Sequence, residues 1–153
     1  MEMMMVVAII GTLVFIGPQI LTQTLKVFVL QKAKLALQRE ARAATYVITR
    51  ELRQAESNTI IIDQAAGQPY YSRIRFTLDQ GINVTIAQNG SNLVLTRGNT
   101  VTTLTTELAY LSFSFPESDD MTIVSVSLTL QEQIYNGLFK ALHMASEKVR
   151  VMN

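Results

Sequence analysis

The sequence predicts an α+β protein in which one long N-terminal helix, half apolar and half amphipathic, packs against antiparallel β-sheets. Three observations carry that prediction. Met3 to Leu25 holds no charged residue, with Glu2 before it and Lys26 after it. From Gln19 to about Ser57 there is no further Pro or Gly, and apolar residues recur at steps of three and four. Beyond Thr59 the apolar positions recur at steps of two instead.

The apolar stretch spans twenty-three residues, Met3 to Leu25. As a helix rising about 1.5 Å per residue it is roughly 35 Å long, enough to cross a bilayer core of about 30 Å. Gly17 and Pro18 interrupt its composition. Proline removes one helix hydrogen bond, so a bend is expected near Pro18. The amphipathic half follows over residues 26–57. Its stripe is Leu30, Ala33, Leu37, Ala41, Ala44, Ile48, Leu52 and Ala55, with Lys34, Arg39, Arg42, Arg50 and Arg53 mostly off it. Leu30, Leu37, Ile48 and Leu52 are expected to pack against whatever covers the helix, a partner included. Ser57-Asn58 reads as the helix end. Residues 1–25 thus form one unit and residues 26–153 a second, with sheets over 59–153.

The strands are read from alternation. Thr59 to Ile62 is a β-branched run. Ile74, Phe76 and Leu78 alternate with Arg73, Arg75 and Thr77, and Ile82, Val84 and Ile86 with Asn83 and Thr85. Asn89-Gly90 signals a hairpin leading into Leu93-Val94-Leu95. Leu111, Phe113 and Phe115 form a strand ended by Pro116; Val124, Val126, Leu128 and Leu130 form another. Residues 131–147 are ambiguous: Asn136-Gly137 suits a turn, and Leu138 to Ala145 fits a strand or a short helical turn. Val149-Arg150-Val151 closes the chain as a short strand.

Composition narrows the chemistry. Of 153 residues none is Cys, which removes disulfides, thiolate metal sites and a cysteine nucleophile. Net charge is +1, but residues 26–56 carry seven Lys/Arg against three Glu. These cations are scattered among apolar positions, so a solvated helix face is expected rather than a nucleic-acid site. His143 is the single histidine. Together with Ser146 and Glu147 it is the least implausible catalytic set, with no elbow motif around the serine. Glu117, Asp119 and Asp120 lack the spacing of a calcium loop. No metal, cofactor or enzymatic activity is expected. Glu2 differs from these, because a carboxylate opening an apolar helix is costly to bury without a partner.

The run Glu2-Met3-Met4-Met5-Val6-Val7-Ala8-Ile9-Ile10-Gly11-Thr12-Leu13, with Pro18 beyond it, resembles the N-terminal helix of type IV pilins and type II secretion pseudopilins. Arg50 to Ala55, Leu111 to Phe115, Val124 to Leu130 and Lys148 to Asn153 resemble the J-type minor pseudopilins and the related W-type minor pilins. The resemblance implies a pilin-like fold and a structural subunit at or near the tip of a fibre. It gives Glu2 the role of accepting a neighbouring subunit's N-terminal amine, and Gly17 and Pro18 that of a bending point. It implies other minor pseudopilins or pilins, the major subunit and the bacterial inner membrane as partners, with the C-terminal domain in the periplasm. Family precursors carry a basic leader cut by prepilin peptidase. Only Met1 precedes Glu2, so a leader and first mature residues are expected upstream.

Overall fold

The computed structural model describes residues 2–117, 119–134, 137 and 139–152; the side chains of Glu2, Leu13 and Phe139 lie outside that description. Helix α1 runs from Glu2 to Arg53, uninterrupted through Gly17 and Pro18. It ends four residues before the expected Ser57. Gln54 and Ala55 donate their amides three residues back, to Glu51 and Leu52, which tightens the last turn. The Glu56 amide then goes to the Thr77 carbonyl at 2.9 Å, and Ala55 bridges Leu78. Sheet pairing thus takes over donors that a further helical turn would need. A short 3₁₀ turn, Ser57–Thr59, leads into the strands.

Five of these form one antiparallel meander, β1 (Ile61–Asp63), β2 (Arg73–Thr77), β3 (Asn83–Asn89), β4 (Asn92–Arg97) and β5 (Thr100–Thr105), in spatial order β1-β2-β3-β4-β5. Three more, β6 (Leu108–Ser114), β7 (Ile123–Ile134) and β8 (Phe139–Arg150), form a second antiparallel sheet. The hairpin at Asn89-Gly90 forms, displaced by one residue. Asn89 pairs Asn92, so the two loop residues are Gly90 and Ser91. Gly90 has φ +61° and Ser91 has no positive φ, the arrangement in which glycine takes the first loop position. The bulge between Leu108 and Tyr110 explains why Leu108 and Leu111 both point inward despite odd spacing.

Three strand expectations change. β5 has no counterpart among the expected strands, because its residues Thr100 to Thr103 are exposed at a sheet edge and show no alternation. The ambiguous segment is strand, not helical turn, and the closing strand starts at Phe139 rather than Val149. Pairing along β7, from Ile123 with Arg150 to Ile134 with Phe139, supplies the hydrogen bonds that its mixed composition did not advertise. Of the turn, Gly137 is left-handed at φ +88°, while Asn136 and Leu138 lie outside the described residues.

The second half of α1 lies on β7 and β8. One core contains its stripe, Ile74, Phe76, Val84 and Ile86 of the first sheet, and Phe113, Val126, Leu128 and Leu130 of the second. The sheets are stitched by Gln88, which accepts from the Leu111 amide through Oε1 and donates through Nε2 to the Gly90 carbonyl. Tyr71, a left-handed non-glycine at φ +62°, offers its carbonyl to the Phe113 amide.

Candidate anchoring and assembly site

The apolar half of α1 is long and apolar enough to cross a membrane, and none of that stretch is buried in the molecule. Large apolar side chains stay exposed from Met3 to Val29; Phe28, beyond Lys26, is 67% exposed. This surface therefore runs about one turn past Leu25. Its polar side chains are partly self-satisfied. Thr12 donates to the Ile9 carbonyl, Thr22 to that of Gln19 and Thr24 to that of Ile20. A hydroxyl so engaged is far cheaper to place in hydrocarbon. Gly11 and Gly17 have no atom of the chain near the position a Cβ would take, so the chain's own packing does not call for glycine there. Pro18 leaves the Val14 carbonyl without its helical donor. Glu2 is the first described residue of α1, and its side chain lies outside the description.

The stripe expected to meet a partner is covered by the chain itself. Leu37 is 1% exposed, Ile48 and Leu52 are 0%, and Leu30 packs half-buried on the same core. The physical reason is the pair of long strands β7 and β8, which present Leu128, Leu130, Ala141 and Val149 to the helix. A partner would reach α1 on its other sides.

Glu51 is a buried group that the sequence reading passes over. It is 1% exposed, with Oε1 at 2.9 Å from Arg50 Nη2 and 3.9 Å from Arg97 Nη1, and Oε2 has no hydrogen-bond partner among the described residues. Its spacing gave a signal: Glu51 lies three residues after Ile48 and seven after Ala44, on the apolar face.

The catalytic set does not converge. His143 and Glu147 point to the helix side of β8, and Ser146 points away, its Oγ 3.0 Å from that of Ser127. His143 and Glu147 are also four strand steps, roughly 13 Å, apart. Among the described residues no group of three His, Asp or Glu is placed to hold a metal. Asp120 acts locally instead. Its Oδ1 accepts from the Thr122 hydroxyl and amide, which hold the carboxyl below the usual carboxylate range.

No protein-family model, curated protein or solved structure matches the chain.

Proposed function

We propose that this chain is a minor pseudopilin, a structural subunit at or near the tip of a type II secretion pseudopilus that primes fibre assembly and protein secretion. One observation carries the reading: a single unbroken helix whose second half is covered by its own sheets and whose first half is left entirely uncovered. Exposed apolar area on that scale needs lipid or other helices around it. In the inner membrane the uncovered half anchors the subunit as a single span, with the sheets in the periplasm. In a fibre the same half packs among the helices of other minor subunits and the major pseudopilin. Glu2 would pair there with a neighbour's N-terminal amine, an attraction strengthened by the apolar surround. Gly17 and Pro18 are the positions at which the span yields when it leaves the membrane. Prepilin peptidase would process the precursor. A minor pilin of a type IV pilus or a DNA-uptake machine uses the same parts.

A second reading is a membrane-anchored periplasmic binding module that never polymerises. It is favoured by the closed packing of the stripe, which leaves the folded domain complete without a partner.

Co-purification separates them. The whole chain in detergent, mixed with the minor subunits encoded beside it, is expected to form a complex that Glu2→Ala weakens. A monomer that binds none of them, and for which Glu2→Ala is silent, would move the assignment to the anchored module.

A further inference from the structure

Beside the covered half of α1 lies an open groove of about 480 Å³. Arg42, Arg50 and Arg53 line it from the helix, and Glu147 of β8 is the carboxylate on its lining. Two features set it apart from a solvated helix face. First, Thr45 and Thr49, one turn apart on its lining, are more than nine-tenths buried, and neither hydroxyl has a hydrogen-bond partner among the described residues. A helical threonine ordinarily satisfies itself on the carbonyl four residues back, as Thr24 does here on Ile20. These two hold unspent donors against a desolvation cost. Second, Arg50 is engaged by Glu51, whereas Arg42 and Arg53 make no ion pair among the described residues.

Arg42 and Arg53 lie roughly 16 Å apart along the helix axis. No single small anion bridges that distance, but an extended chain of about five residues does. Tyr46, 68% exposed, stands between them on the rim. Tyrosine and arginine are the residues enriched where protein surfaces bind each other most strongly. Lipid headgroups fit poorly, since Arg42 stands roughly 25 Å beyond Leu25 along α1.

We propose that this groove binds an acidic segment of a partner protein. Carboxylates spaced along the segment pair with Arg42 and Arg53, across the floor to which Thr45 and Thr49 contribute. Glu147 repels an acid placed opposite it and so fixes where along the groove the carboxylates fall. The site does not depend on the fibre reading, because a solitary anchored receptor would present the same groove.

The test is binding of fluorescein-labelled hexaglutamate to the whole chain in phosphatidylcholine nanodiscs at low salt. Arg42→Gln with Arg53→Gln is expected to weaken binding about tenfold or more. Thr49→Val should leave binding unchanged and the melting temperature level or raised, because a buried unsatisfied hydroxyl is removed without altering the groove's charges. Lys148→Gln, on the opposite face of β8, should leave it unchanged. Unaltered binding in the double arginine variant would overturn the proposal, as would an equal loss in Lys148→Gln. Displacement of the peptide by submicellar phosphatidylglycerol, with no displacement by unlabelled hexaglutamate, would give the groove to lipid instead.

Discussion

The two halves of α1 are one continuous helix, yet their apolar residues meet opposite fates. Ile9, Ile10, Val14 and Phe15 are exposed; Leu37, Ile48 and Leu52 are all but sealed. The difference is one of pattern rather than of hydrophobicity. The first half is apolar all round and offers no polar face for a soluble domain to leave wet, so its own sheets cannot satisfy it. The second half confines its apolar groups to one stripe, which one sheet face can cover while Arg39, Arg42 and Arg53 stay in water. A helix apolar on every side needs a surround, whereas a striped one needs only a floor. The anchoring and assembly reading rests on that contrast.

The sharpest way to break it is to place one charge in each half. Ile48→Asp puts an unpaired carboxylate in the core, at a cost of several kcal/mol beyond the roughly 2–5 kcal/mol of Ile48→Ala. With a total stability of about 5–15 kcal/mol, the domain should lose its cooperative melting transition. Ile10→Arg should leave that transition in place and instead lower membrane insertion, by about 3–4 kcal/mol on a translocon scale. Circular dichroism with temperature reads the first, and a glycosylation-tagged insertion assay the second. Equal damage to the melting transition from both would mean that the first half is folded against something in its own chain.

How much of this was legible follows from which residues broadcast their environment. Leu30 to Ala55 announced the stripe because seven of its members are buried on one face at helical spacing, as an amphipathic helix requires. Ile74, Phe76, Val84 and Ile86 announced their strands because a half-buried sheet forces alternation. β5 stayed hidden because an edge strand exposes four of its six residues and has nothing to alternate. The N-terminal part of β8 stayed hidden because Leu142 and Met144, apolar residues, point outward while His143 faces the helix side. That sheets cover the stripe was expected, but periodicity says only that a face is buried and not which strands bury it, so β7 and β8 were not legible as its cover. Glu51, between two arginines in sequence, resembles a surface charge, although its position on the apolar face held the contrary signal.

Glu51 sharpens the comparison within the covered half. Its carboxylate is buried, but Arg50 and Arg97 remain about half exposed. Removing both arginines leaves an uncompensated buried charge, so Arg50→Ala with Arg97→Ala should cost about 3 kcal/mol. Glu51→Gln leaves two guanidiniums that water can solvate and should cost about 1 kcal/mol or less. Chemical denaturation midpoints compare the two. A larger loss from Glu51→Gln would show that the pair holds α1 onto β4 rather than merely neutralising a buried acid.

The smallest effect expected lies farthest from the membrane half and serves as its control. Asp63 on β1 faces Arg73, its cross-strand partner on β2, and accepts hydrogen bonds from Arg73 and Arg75. The Arg73 hydrogen bond first, joined by the positive charges of Arg73 and Arg75, holds its carboxyl below the usual range, against burial, which opposes it more than either charge alone favours it. A carboxyl with a folded pKa below its unfolded value near 3.9 stabilises the fold above that value, and this stability is lost as pH falls through the folded pKa. The cluster is partly exposed, so its worth is about 1 kcal/mol. Asp63→Asn should therefore lower stability by about that amount at pH 7, and the gap from the parent should close as pH falls through the lowered folded pKa, because the parent then loses the same contribution. A gap that persists unchanged in acid would mean that the asparagine disturbs β1–β2 pairing itself. In the insertion assay Asp63→Asn should be silent, since no part of the cluster touches the uncovered half of α1.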